Sequence, residues 1–162
     1  MPVAGATVEE QILDNIVTTL QAITSDSLLE YNNTYTEVRR QYSNIEDVRG
    51  LPALIILHQG TTQDDSQLGI IKCVMTIAIV GAINTASGDW QGDLSLVIAD
   101  VTHALRDEAD EGWTRGGLAV TTRITNTEIF DSEDTGTAGL VACQITAEIV
   151  FRHLYDDATS AI

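Results

Sequence analysis

The residues equipped to do chemistry in this chain are three histidines, two cysteines and several short runs of carboxylates. A zinc site needs such groups gathered at ligand spacing. His58, His103 and His153 have no cysteine or carboxylate at that spacing, so no metal is expected on them. Asp131-Ser-Glu-Asp-Thr-Gly136 puts a glycine sixth, as a calcium-binding EF-hand loop does. Its fifth place, however, is Thr135, and its twelfth would be Ala142, inside a strand pattern. The reading is therefore a solvated acidic hairpin tip. A serine nucleophile wants a sharp glycine-flanked turn, whereas Gly92-Asp-Leu-Ser95 lies within a helical pattern. No glycine loop suited to phosphate is present. The paired carboxylates Asp64-Asp65, Glu46-Asp47, Glu108 with Asp110 and Glu111, and Asp156-Asp157 all fall in expected loops. No catalytic, metal or cofactor residue is assigned, no cofactor is expected, and the chain is not expected to be an enzyme. Cys73 and Cys143 each sit in an apolar strand pattern and are read as free buried thiols.

Composition narrows the partners. Across 162 residues, 24 acidic residues stand against 8 basic ones, a formal net charge of −16. Binding to nucleic acid draws on clustered Lys and Arg that displace counterions from phosphates, and no basic run exceeds Arg39-Arg40. An acidic surface instead repels DNA and suits something that DNA slides past. Lys72 is the single lysine, a bias that fits either a salt-rich host, where salt screens self-repulsion, or an arginine-biased genome. Met1 to Ala6 has neither the basic start nor the apolar run of a signal peptide. Asn32-Asn-Thr34 therefore matches a glycosylation acceptor without a secretory context. No stretch approaches the roughly 18 apolar residues of a membrane span, so a soluble protein made in a cytoplasm is expected.

The elements that must position these residues follow from periodicity. Val141, Cys143, Ile145, Ala147, Ile149 and Phe151 alternate with Gln144, Thr146, Glu148 and Arg152, which predicts one long strand from Gly139 to Tyr155 with a face to bury. Thr7-Val-Glu-Glu10 has the form of a capping box. It opens a helix whose stripe is Val8, Ile12, Ile16, Leu20 and Ile23, widened by Leu13 and Val17. A half-exposed strand is expected over Tyr31 to Tyr42, and a central apolar strand from Pro52 through Leu57. Gln59 to Gly69 reads as an extended loop or protruding hairpin tip leading to a strand over Ile70 to Ile83. A second helix, capped by Ser87 or Asp89, turns Leu94, Val97, Ile98, Val101, Ala104 and Leu105 inward. Asp93, Asp100, His103, Arg106 and Asp107 take its outer face. After an acidic loop from Asp107 to Gly117, a strand over Leu118 to Phe130 and the Asp131 to Gly139 turn lead into the long strand. The tail from Asp156 to Ile162 is expected to fray, as are residues 1–6. Trp90 and Trp113, both in glycine-flanked connections, would either cover an end of the core or anchor a partner. The fold class is α+β: one domain with a mostly antiparallel sheet of about five strands and two helices on one face.

This arrangement resembles the tail terminator, or tail-completion, proteins of long-tailed phages and archaeal tailed viruses. The likeness runs from Val8 to Asp156. It rests on the capped first helix, Leu51-Pro-Ala-Leu-Ile-Ile-Leu57, the strand Val74 to Val80 behind a polar loop, the helix Leu94 to Leu105, and the closing Ile149-Val-Phe-Arg-His-Leu-Tyr-Asp156. The resemblance implies a hexameric ring that caps the tail tube, ends its polymerisation and joins it to the capsid neck. Tail-tube and neck or connector proteins would be its partners, and genome DNA would cross its lumen unbound. The chain would then be part of the virion, assembled in the host cytoplasm. Asp64, Asp65, Asp110, Glu111, Asp131, Glu133 and Asp134 are the lumen candidates, with Trp90 and Trp113 as interface anchors. A tail-tube or other neck subunit is the nearest alternative, and an acidic binding domain outside any virion the next.

Overall fold

The computed structural model describes residues 5–25, 31–40, 48–106 and 112–162. Thr7 caps the first helix (α1, Val8–Gln21), its hydroxyl accepting from the Glu10 amide at 3.2 Å. Glu10 does not complete the box. Its carboxylate turns to Arg40 of the first strand (β1, Glu37–Arg40) at 2.8 Å, tying helix to sheet edge. That partner holds the Glu10 carboxyl below its ordinary range.

The remaining strands are β2 (Ala53–Gln67), β3 (Ile70–Asn84), β4 (Thr121–Phe130), β5 (Leu140–Leu154) and β6 (Asp157–Ala161). They form one sheet in the order β1-β2-β3-β5-β4, with β6 also on β5. Among the described residues only the β1–β2 pair is parallel. The long alternating strand sits where its pattern places it, between β3 and β4, paired with β3 along its whole length from Leu140 to Leu154. Val141, Cys143, Ile145, Ala147, Ile149 and Phe151 face the helices, together with Cys73, Met75, Ile77 and Ile79 of β3 and Leu54 and Ile56 of β2. Against them pack Val8, Ile12, Leu13, Ile16 and Leu20 of α1, and Leu94, Val97, Val101, Ala104 and Leu105 of the second long helix (α2, Trp90–Arg106). Each of those aliphatic side chains contributes about 1.5–3 kcal/mol by leaving water. Gly81 lets α2 come close, because a Cβ there would lie 2.6 Å from Val97 Cγ1. The fold is α+β, with both long helices on one face of a mostly antiparallel sheet.

Four expectations are corrected. The strand expected over Tyr31 to Tyr42 shrinks to Glu37–Arg40, because Asn32, Asn33 and Tyr35 are taken by a carboxylate on α2; Gln41 and Tyr42 lie outside the described residues. Gln59 to Gly69 is not a loop for most of its length. Strand β2 runs on to Gln67 because β3 provides ladder partners (Gln63 opposite Cys73, Asp64 opposite Lys72), leaving Leu68-Gly69 as the turn. Register shifts between His58 and Gly60 and between Asp64 and Gln67 absorb the polar residues. The projecting hairpin expected there is present as strand. The C-terminal residues expected to fray are paired with β5. They form β6, which Gln11 of α1 holds by donating to the Thr159 carbonyl at 2.9 Å. Finally, Asp100 belongs to the inner face of α2, at 1 % exposure.

In β4 the alternation holds through Thr122 and Ile124 and is lost after a bulge between Ile124 and Asn126, where the strand is exposed through Ile129. Most of β4 is exposed, as suits the outermost strand. Its turn into β5 is a short helix (α3, Ser132–Thr135) with a complete capping box. Asp131 accepts from the Glu133 and Asp134 amides at 2.9 and 3.0 Å, and Asp134 accepts from the Asp131 amide at 3.2 Å. Gly136 closes it at φ 72°, a left-handed conformation that costs glycine little.

Candidate functional site

The sequence-singled residues separate to the two ends of the sheet. At one end, the Leu68-Gly69 turn and the Tyr155-Asp156 turn lie side by side, the Tyr155 amide donating to the Gly69 carbonyl at 3.0 Å. Asp64 and Asp65 stand there, both exposed, with Asp64 opposite Lys72 in the ladder. At the other end, the Thr85 amide donates to the Gly139 carbonyl at 3.1 Å, tying the end of β3 to the close of the turn that carries Asp131, Glu133 and Asp134. The carboxylates of Asp131 and Asp134 serve as caps of their own turn. Asp110 and Glu111 lie outside the described residues.

The two tryptophans take different fates. Trp90 is the first residue of α2, not part of the preceding connection, and packs half-buried against the core. Asp89 is the cap, accepting from the Gly92 amide at 3.2 Å, while Ser87 donates its hydroxyl to Asp93. Trp113, in a 3-10 turn over Gly112–Thr114 close to the start of β4, stays 44 % exposed.

Two buried polar residues matter more to the architecture than any of these. Asp100 receives five donors. The Asn32 amide N–H and side-chain amide donate to Oδ1 at 2.8 and 2.9 Å, and those of Asn33 to Oδ2 at 3.0 and 2.9 Å. The Tyr35 hydroxyl donates to Oδ2 at 3.2 Å. Burial, with the Asp100 charge beside it, holds the Tyr35 phenol far above its ordinary range. Tyr31 meets His103 of α2 edge-on, ring centroids 5.3 Å apart. The segment before β1 is thereby latched onto the helix. The signal lay in the helical wheel, since Asp100 is three places after Val97 and four before Ala104.

Arg115, with no exposed surface, sits at φ 53° and donates Nη2 to the Leu105 carbonyl at 2.7 Å, capping the C-terminal end of α2. Its Nε and Nη1 have no partner among the described residues, and burial pushes the guanidinium down to about 10. A buried cation with unmet donors stabilises little beyond what its stem packs. Arg115→Met should therefore leave stability within about 1 kcal/mol of the parent in urea denaturation, whereas Arg115→Ala should cost about 2–4 kcal/mol. Nothing in the sequence around Gly112 to Gly117 signals this burial.

Cys73 and Cys143 are free and buried as expected. Burial pushes the Cys143 thiol up to about 11, and burial with the Glu9 charge raises Cys73. Iodoacetamide at pH 8 should modify neither in the folded protein and both in urea, read as mass added. Glu9 also lies 3.0 Å from His58 Nε2.

Among the described residues, no three His, Cys, Asp or Glu side chains gather as a metal ion would require. No described helix is long and apolar enough to cross a membrane. What the geometry does present is surface. The outer edge of β4 is open among the described residues, and so is the edge of β2 beyond Ile56, where β1 stops pairing with it. A shallow groove at the paired turns is lined by Asp65, Gln67, Leu68, Gly69, Tyr155 and Asp156. No protein-family model matches the chain, and no curated protein matches it.

Proposed function

We propose that this chain is a structural virion subunit that assembles with copies of itself into a ring, capping the tail tube and joining it to the capsid neck as a tail terminator does. The observation that carries this reading is that, among the described residues, the sheet ends in two unlike open edges, β4 on one side and the far half of β2 on the other. An open edge is a row of unpaired N–H and C=O groups that calls for cover. Two unlike edges on one subunit favour heterologous contacts, which close into a ring when the rotation between neighbours allows it. The excess of 24 acidic over 8 basic residues favours a lumen that DNA crosses without sticking. Asp131, Glu133 and Asp134, at the end of the sheet opposite Asp64 and Asp65, are the described acids proposed to face it, and the tail-tube and neck proteins are the proposed neighbours.

Negative-stain microscopy of the purified protein tests the reading. Closed rings with a central hole are expected. Long tubes would favour a tail-tube subunit instead, and single small particles would favour an acidic binding domain.

A further inference from the structure

The two turns that lie side by side at the projecting end of the sheet expose apolar side chains on a rigid support. Leu68 is 103 % exposed and Tyr155 72 %, the most exposed large apolar residues described. Both stand on backbone fixed by the β2–β3 and β3–β5 ladders and by the bond from the Tyr155 amide to the Gly69 carbonyl. Polar residues are the ordinary occupants of such turns, for reasons of solvation and turn geometry. A leucine and a tyrosine exposed on backbone fixed in this way make an anchor for which side-chain freedom alone remains to be lost on docking.

Charge selects the kind of partner. Asp65 and Asp156 line the groove with the two apolar residues, and Asp64 and Asp157 stand just outside it. The nearest cations, Lys72 and Arg152, face each other in the ladder further along the strands. Lys72 is also opposite Asp64, so the end as a whole stays acidic. A second copy, equally acidic, is a poor electrostatic match. We infer that the groove at the paired turns, with Leu68 and Tyr155 between Asp65 and Asp156, is a docking site for a basic partner segment that carries an apolar anchor flanked by arginine or lysine. The apolar side chain covers Leu68 while the cation lies against the Tyr155 ring and its flanking carboxylates. This contact is independent of ring formation.

Fluorescence anisotropy of a labelled peptide that alternates arginine and leucine, titrated with the full chain, tests it in whatever oligomeric state the chain adopts. Saturable binding is expected, weakened at least tenfold by Leu68→Ser with Tyr155→Ser, and several-fold by Asp65→Asn with Asp156→Asn. Leu96→Ser, at an exposed leucine on α2, should leave it unchanged. A peptide with glutamate in place of arginine should not bind. Absence of binding, equal binding by the tip variants, or equal binding of the glutamate peptide would overturn the assignment.

Discussion

Asp100→Ala should lower stability by about 3–5 kcal/mol, the largest loss expected from any polar substitution in this chain. The carboxylate is 1 % exposed and satisfies both side-chain amides and both backbone amides of Asn32 and Asn33, together with the Tyr35 hydroxyl. Removing it strands those donors, and the segment they occupy is partly buried, so water reaches them incompletely. Asp100→Asn keeps the volume but turns half of the acceptor into a donor that faces other donors, for a loss of about 2 kcal/mol. Urea denaturation should show the midpoint falling with the slope unchanged. A loss below about 0.5 kcal/mol for Asp100→Ala would mean that the strap before β1 is held by its apolar contacts and not by the carboxylate.

Gly81→Val should cost about 3 kcal/mol by overpacking. A Cβ at Gly81 would meet Val97 Cγ1 at 2.6 Å, Cys143 Sγ at 3.1 Å and Leu54 Cδ2 at 3.5 Å, so α2 must lift from β3 or the strand must bend. The strain has a specific source and should therefore be specifically relieved. Val97→Ala alone loses core volume, yet combined with Gly81→Val it should recover more than 1 kcal/mol relative to the sum of the two single changes. Simple additivity in that cycle would place the strain elsewhere than at the helix–strand contact.

What the sequence disclosed depended on how local the signal was. The strict alternation of Val141 to Phe151 and the three-and-four spacing of Leu94 to Leu105 are properties of single elements, and both elements formed as read. The stretch from Gln59 to Gly69 was less legible because its strand character is borrowed. Glycine, glutamine and aspartate disfavour an extended ladder, and only β3 across from them supplies it. The C-terminal strand was hidden for the same reason. Its small polar residues pair with the end of β5 and are pinned by Gln11, from near the opposite end of the chain. Asp100 was placed outside because a carboxylate on an amphipathic helix is ordinarily wet. The Asn-Asn pair that makes its burial affordable lies in a distant segment of the chain.

The candidate site was legible only in part. Asp64 and Asp65 do mark a projecting end, yet the apolar residues that give that end its character, Leu68 and Tyr155, become neighbours only when two turns far apart in sequence are set side by side. Trp90 and Trp113 looked alike in sequence and differ in fact, because α2 begins at Trp90 and turns it against the core.

The mass of the purified chain in solution tests the central proposal most directly. A net charge of −16 on each copy opposes association when it is unscreened, so sedimentation velocity should be run from low salt to about 1 M, where the Debye length falls to about 3 Å. The ring reading predicts one closed species at six times the 17.5 kDa of the chain, favoured as salt rises and unchanged by further protein concentration. A 17.5 kDa monomer at every salt concentration, or an open series of growing polymers, would contradict it.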